Sequence, residues 1–249
     1  MNKRIYYIAN WKMYFSYIQA LAWSKENIHE LNELSYDKNI VICPSYESIA
    51  PIANVFAGSS VALGAQNCSA HNLGAFTGQV SIQSLRELGV SYCIVGHSEV
   101  RKYCGESNNA LSDQLSQLMN HAIIPIFCIG ESLIDYQNGS TDASIKAQLE
   151  PIIKFFSKKS DTRKQCFIAY EPVWAIGTGI VANNEYIVEV FKMVRLILQE
   201  SKIEDLFNFI YGGSVTASTI QELKKIEGID GFLIGKASTD IQELKKIVV

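Results

Sequence analysis

Residues 167–182 read Phe-Ile-Ala-Tyr-Glu-Pro-Val-Trp-Ala-Ile-Gly-Thr-Gly-Ile-Val-Ala, an apolar β-prone run that breaks at Glu171-Pro172 and continues as a loop. Because proline keeps its predecessor out of the helical region, Glu171 is expected at a strand end with its carboxylate fixed in direction. The loop is apolar and contains two glycines, so it can exclude water from a carboxylate and let backbone N–H groups approach an anion. The stretch favours a carboxylate base beneath a closing loop.

Two other interpretations fit the same residues. Residues 177–182 match the pattern G-x-G-x-x-A of dinucleotide-binding proteins, which would make the chain a nucleotide-dependent oxidoreductase. That pattern needs its first glycine directly after a strand, whereas residues 172–176 separate Glu171 from Gly177. Glu200, at about the required distance, falls late in a helical pattern. The second interpretation is a surface loop whose Trp174 packs on the core.

Eight short β-prone runs recur along the chain, at residues 5–10, 39–43, 60–65, 91–96, 123–129, 165–171, 207–211 and 229–235. Their nearly continuous apolar character suits strands that are buried on both faces of a parallel sheet. The intervals leave room for crossover helices, and helical periodicity is visible at residues 16–34 and 183–200. The pattern predicts an α/β fold, a single closed (β/α)8 barrel domain of residues 1–249, with an open doubly wound sheet as the alternative.

Two helix starts are predicted from capping residues. Ser218 and Thr239 are each followed three residues later by a glutamine, which predicts capping boxes at both positions.

Composition limits the classes of function. The net charge of −3, with 19% charged residues, gives no indication of nucleic-acid or membrane-surface binding. The longest apolar runs are far shorter than the ~20 residues that span a bilayer. Six scattered cysteines without a signal peptide predict reduced, buried thiols in a cytoplasmic protein. The four histidines show no metal-ligand spacing, so no metal site is expected.

Polar and glycine residues follow several of the predicted strands. In a (β/α)8 barrel the carboxyl ends of the strands share one rim, and the active site forms there. Glycine-rich turns follow the seventh and eighth runs. Such turns are typical of a phosphate site built from backbone N–H groups and a helix N-terminus. The rim residues that we single out are Asn10, Lys12, His97, Glu171, Gly177, Ser214, Gly235 and Lys236.

With these blocks assembled, the chain resembles the triosephosphate isomerases. The matching blocks occur in the family's order and span almost the entire chain. They are Asn10-Trp11-Lys12, Gly64-Ala65-Gln66-Asn67, Gly74-Ala75-Phe76-Thr77-Gly78, Gly96-His97-Ser98-Glu99, Cys128-Ile129-Gly130-Glu131, residues 169–179 and Tyr211-Gly212-Gly213-Ser214-Val215.

The resemblance implies a cofactor-independent enzyme of glycolysis and gluconeogenesis that interconverts dihydroxyacetone phosphate and glyceraldehyde 3-phosphate through an enediolate. In this family's known mechanism Glu171 would be the base, and neutral His97 would donate to the carbonyl oxygen. Lys12 would supply positive charge, and Asn10 would position Lys12 and the substrate. The backbone N–H groups of Gly177, Ser214, Gly235 and Lys236 would hold the phosphate. The role of Glu99, as supporting residue or proton relay, stays open.

The resemblance also implies a homodimer in which the loop of residues 74–78, with Thr77 at its tip, inserts beside the neighbour's active site. Gln79 and Val100 replace the family's usual Glu and Arg near that interface, so both members of an ion pair are absent together.

Two further departures concern the active-site loops. Ile180-Val181 replaces the family's usual Lys-Thr or similar pair at the far hinge of the loop after Glu171, and these β-branched residues are expected to alter its motion by stiffening the hinge. Lys236 replaces a glycine, which is tolerated unless the position needs a positive φ.

A catalytically degenerate barrel that only binds phosphorylated ligands is the alternative function. Such a protein should have lost Glu171, His97 or Lys12, and all three are present.

Overall fold

The computed structural model describes residues 4–157, 166–176 and 182–249. Eight parallel strands of these residues form a closed barrel in the order of the chain. They are β1 Tyr6–Asn10, β2 Asn39–Cys43, β3 Ala62–Ala65, β4 Tyr92–Val95, β5 Ile124–Ile129, β6 Cys166–Tyr170, β7 Phe207–Tyr211 and β8 Gly231–Ile234. Each predicted run contains one of these strands, so the prediction of a closed barrel is confirmed and an open sheet is wrong.

The barrel closes where β8 pairs with β1. Tyr6 lies opposite Gly231, and Ala9 lies opposite Ile234. A Cβ atom at position 231 would lie 2.3 Å from the Tyr6 carbonyl oxygen, so the two strands approach closely only because this residue is glycine.

Helices connect the strands and cover the outside of the barrel. They are α1 Tyr17–Leu34, α2 Tyr46–Phe56, α3 Ile82–Glu87, α4 Ser98–Cys104, α5 Asn108–Asn120, α6 Leu133–Gln137, α7 Thr141–Phe156, α8 Asn184–Glu200, α9 Ile220–Leu223 and α10 Ile241–Val248. Short 3-10 turns occur at Val173–Ala175, Glu204–Leu206 and Lys236–Thr239. The helices predicted at residues 16–34 and 183–200 are α1 and α8, which begin one residue later.

Both predicted capping boxes are wrong. The Ser218 hydroxyl lies 2.8 Å from the Thr216 hydroxyl, and α9 begins only after Thr219. The Thr239 hydroxyl donates to the Lys236 carbonyl within a 3-10 turn. Asp240 caps α10 instead, because its carboxylate accepts from two N–H groups of the first turn.

The strands are apolar on both faces. Ile8, Ile94 and Ile210 belong to a cluster of alternate strand residues, distinct from the larger core cluster that includes the helices. Two-sided burial explains why the strands read as continuous apolar runs in the sequence.

Five of the six cysteines are buried free thiols. Cys104 is a free thiol too, but it is exposed at the end of α4, so the expectation of burial is wrong there. A helix end before the left-handed Gly105 leaves the Cys104 side chain outside the core.

The described residues contain neither a membrane-spanning helix nor a metal-binding cluster. No helix there combines the length and apolar character that crossing a bilayer requires. No three histidine, cysteine or acidic side chains of the same residues are grouped as a metal ion would need.

Candidate active site

A cavity of about 280 Å³ opens at the carboxyl ends of the strands. The residues that line it follow β1, β4, β6, β7 and β8, so they are distant in the chain but share one rim. The structure brings together seven of the singled-out residues there: Asn10, Lys12, His97, Glu171, Ser214, Gly235 and Lys236. Gly177, Ile180 and Val181 lie outside the described residues.

Lys12 has an unusual backbone that three neighbours hold in place. Its φ of 48° is in the left-handed region, where a residue other than glycine costs about 1–3 kcal/mol. Gln66 and Ser45 donate hydrogen bonds to its carbonyl at 2.8 and 3.1 Å. The Asn10 side-chain oxygen accepts from its N–H at 3.1 Å. These contacts, from the end of β1 and from the segments that follow β2 and β3, offset the strain and direct the side chain into the cavity.

The Lys12 ammonium group pairs with a carboxylate of α4. Its Nζ lies 2.8 Å from Glu99 Oε1, and the Glu99 side chain is 44% exposed. Solvent screens a pair at this exposure, so Lys12 remains available to a second anion in the cavity.

Glu171 is a buried carboxylate at the end of β6. Only 3% of its surface is exposed, and its N–H donates to the Ile129 carbonyl at 2.8 Å. Gly212 packs against it so closely that a Cβ there would lie 2.8 Å from Glu171 Cγ. Its Oε2 has no hydrogen-bond partner among the described residues. A buried carboxylate oxygen without a partner is costly, and such costs concentrate at functional sites.

His97 contacts both Glu171 and the start of α4. Its Nδ1 accepts a hydrogen bond from the Glu99 N–H at 3.2 Å, so a neutral ring carries its proton on Nε2. Nε2 lies 3.2 Å from Glu171 Oε1. The free protein therefore joins the expected base and the expected electrophile directly.

Opposing influences set the pKa of His97. Burial lowers this pKa, while the Glu171 carboxylate raises it by charge and by hydrogen bonding. Lys12 lowers the pKa and Glu99 raises it, and the net pKa of His97 lies above its ordinary value. The increase in the pKa of His97 comes mainly from the contact with Glu171. It therefore applies to the free protein, in which that contact exists.

Glycine turns form the opposite wall of the cavity. The Ser214 hydroxyl donates to the Ala175 carbonyl at 3.0 Å, which connects the turn after β7 to the segment after Glu171. Lys236 begins a 3-10 turn after β8, and its φ is not positive. A lysine therefore fits without the strain that a glycine-only position would impose. Ile176 and Leu233 complete the lining.

Several supporting residues were not singled out from the sequence. Ser45, which holds the Lys12 carbonyl, gave no signal because its contact joins residues 33 positions apart. Glu131 lay inside a matching block, but Tyr186, which donates a hydrogen bond to it, did not. Hydrogen bonds of this kind depend on the packing of distant helices, which a single sequence does not reveal.

Known proteins resemble this chain over almost its whole length. The model of the family described as "Triosephosphate isomerase" matches residues 5–249. The triosephosphate isomerase of Thermodesulfovibrio yellowstonii is 38% identical over 244 residues, which cover 97% of each chain. That of Carboxydothermus hydrogenoformans is 36% identical over 242 residues, which cover 96% of this chain and 95% of the relative. That of Dictyoglomus thermophilum is 37% identical over 243 residues, 96% of each chain. The chain thus belongs to the triosephosphate isomerase family and is an aldose–ketose isomerase of triose phosphates.

Proposed function

We propose that Glu171, His97, Lys12 and Asn10 together interconvert dihydroxyacetone phosphate and glyceraldehyde 3-phosphate. The observation that carries this assignment is the pairing of Glu171 Oε1 and His97 Nε2 at 3.2 Å inside a cavity that also holds a fixed cation. A buried carboxylate and an imidazole N–H that share one cavity can act on adjacent atoms of a small substrate.

The reaction is a proton transfer between neighbouring carbons. Glu171 removes a proton from the carbon next to the carbonyl, while the His97 Nε2–H stabilises the developing negative charge on the carbonyl oxygen. The electrons of the broken C–H bond form the enediolate. Glu171 then returns the proton to the other carbon, and His97 mediates the proton exchange between the two oxygens. Every proton and electron pair is accounted for by the substrate and these side chains, so the reaction uses no cofactor.

His97 acts as a neutral donor in this scheme. A substrate carbonyl that enters between His97 and Glu171 separates them, and this removes the main influence that raises the pKa of His97. Burial and Lys12 both lower the pKa, and the Glu99 N–H already occupies the Nδ1 lone pair. All three favour the neutral ring once substrate is bound.

Lys12 and Asn10 prepare the site for an anion. The strained Lys12 backbone is held by Asn10, Gln66 and Ser45, so its ammonium group is positioned before substrate binds. Preorganised charge lowers the barrier because little reorganisation is needed in the transition state. Ser214, Gly235 and Lys236, with Gly177, supply the backbone N–H groups for the phosphate.

A homodimer through residues 74–78 is part of the proposal. The loops after β1 and β3 expose apolar side chains that a monomer would leave in water, among them Met13, Leu73 and Phe76. Met13 is 92% exposed and Leu73 is 64% exposed. Exposed apolar side chains of this kind support association with a second copy of the chain.

A cytoplasmic location is also proposed. Six free thiols are typical of a reducing compartment, which supports this location.

The test is turnover of glyceraldehyde 3-phosphate in a coupled assay, with Glu171→Gln as the control. The wild type should be fast and Glu171→Gln nearly inactive, because the amide cannot accept the proton. Glu171→Asp, which withdraws the carboxylate by one methylene, should lose roughly 10²-fold in kcat. Turnover that survives in Glu171→Gln contradicts the assignment of the base. A wild type that binds an enediolate mimic without turnover would favour the degenerate barrel.

A further inference from the structure

A second buried carboxylate lies close to the active site, surrounded by aromatic side chains. Glu131 has no exposed surface. Tyr170 donates to its two oxygens at 3.1 and 3.2 Å, and the Trp174 indole N–H donates at 2.6 Å. The Tyr186 hydroxyl donates at 2.9 Å. A buried carboxylate is tolerated when several donors satisfy it, and neutral aromatic donors do so here.

Two tyrosines from different helices also hold the Trp174 ring. Tyr136 of α6 stacks on the indole, with ring centroids 4.4 Å apart and planes 23° apart. Tyr186 of α8 meets Tyr136 edge to face at 5.2 Å. The Tyr186 hydroxyl lies 3.0 Å from the Thr141 hydroxyl as well, so α7 fixes its orientation. Trp174 is therefore restrained on its edge by hydrogen bonding and on its face by stacking.

The restrained indole belongs to the segment that directly follows Glu171. The Val173 N–H donates to the Glu131 carbonyl at 3.2 Å, and the Ala175 carbonyl accepts from Ser214. Ile176, the next residue, lines the active-site cavity. The position of Trp174 therefore influences the base on one side of the segment and the cavity wall on the other.

We propose that Tyr136 and Tyr186 are positioning residues for Glu171, which act through Trp174 and Glu131. The inference rests on the assignment of Glu171 as the base. Tyr186 suits the role of a permanent donor, since burial and the nearby Glu131 carboxylate raise its pKa to about 12. Tyr136 contributes its ring, which stacks on Trp174.

Tyr186→Phe tests the hydroxyl, because it keeps the ring and removes the hydrogen bond to Glu131. We expect kcat/KM to fall roughly three- to tenfold, as for the loss of one buried hydrogen bond. The affinity for 2-phosphoglycolate, a phosphorylated mimic of the enediolate, should fall by a similar factor, because such mimics follow transition-state binding. The affinity for inorganic phosphate should stay unchanged. Tyr36→Phe, at a position 84% exposed, is the matched control and should behave as wild type.

Tyr136 gives an independent pair of variants. Tyr136→Leu removes the stacking and should reduce kcat/KM and the affinity for the mimic together, whereas Tyr136→Phe keeps the ring and should retain both. If Tyr186→Phe does not fold, this pair still tests the proposal.

A double-mutant cycle decides whether the effect passes through Trp174. In a Trp174→Phe background, Tyr186→Phe should change kcat/KM by less than about twofold, because the indole that it supports is gone. An equal loss in both backgrounds would overturn the proposal. So would a loss of kcat with unchanged affinity for the mimic, which indicates a smaller folded fraction. Glu171→Gln is assayed in parallel. It tests the assignment of the base separately, because the activity of this variant does not depend on the tyrosines.

Discussion

Gly212 offers the sharpest test of how closely the base must be held. Its φ is not positive, so alanine brings no left-handed backbone strain. The added Cβ, however, would lie 2.8 Å from Glu171 Cγ and 3.2 Å from its Oε1, whereas ordinary contacts begin at 3.4 Å. Because both groups are part of a packed rim, Glu171 has to move by roughly 0.6 Å to relieve the overlap.

The size of the effect follows from that displacement. A shift of about 1 Å in a reacting group can cost roughly 10²-fold in rate, so a shift of this size should lower kcat by roughly 10- to 100-fold. The assay is steady-state turnover in both directions, with thermal unfolding and phosphate affinity measured on the same preparation. We expect phosphate affinity to change little, since the altered contact is with the carboxylate. A folded Gly212→Ala enzyme with wild-type kcat would refute the reasoning, because the base would then tolerate displacement.

Three further predictions concern other parts of the site. Because folding raises the pKa of His97, the pairing of its charged ring with Glu171 contributes its full stabilisation below pH ~6.5, the ordinary pKa of the unfolded chain. That contribution to the free energy of unfolding is lost as the pH rises through the raised pKa of the folded protein. Urea unfolding of the wild type and of His97→Gln should therefore differ most at low pH, and a difference that grows with pH would show that the sign is wrong. Gln66→Leu removes a hydrogen-bond donor to the Lys12 carbonyl, so it should lower the free energy of unfolding by about 1–3 kcal/mol and raise KM severalfold. If denaturant titration and kinetics show both values unchanged, Gln66 does not hold the Lys12 backbone in place. If the protein is the proposed homodimer, Phe76→Asp should convert it to a monomer in light scattering across a dilution series. A variant that stays dimeric at every concentration would place the interface elsewhere.

The barrel could be predicted from sequence because its strands are buried on both faces. Residues 39–43 and 207–211 are apolar enough to be recognised as strands from the sequence, and the observed strands have the same bounds. Because active sites of (β/α)8 barrels form at the carboxyl ends of the strands, Lys12, His97 and Glu171 could then be placed at one end of the barrel without any contact information. Their catalytic roles stay predictions, whereas their presence in one cavity is observed.

The sequence could not show contacts that arise from packing between distant segments. Tyr136 and Tyr186 lie on two different helices, and nothing in the sequence singled out either residue. The direct contact between His97 and Glu171 was equally invisible, because the two residues follow different strands. The misplaced capping box at Thr239 shows a related limit, since the neighbouring Asp240 caps α10 instead. At Ser218 the helix begins one residue later than predicted, and no side chain caps it.

The closure of β8 on β1 also has a consequence for synthesis of the chain. β1 leaves the ribosome first and β8 last, so one edge of β1 stays unpaired while roughly 220 residues are added. At about 5–20 residues per second this interval lasts roughly 10–45 s. During that time the nascent sheet has two open edges that can pair with other chains. Pairing of β8 with β1, which the glycine opposite Tyr6 allows, closes both edges and ends this interval.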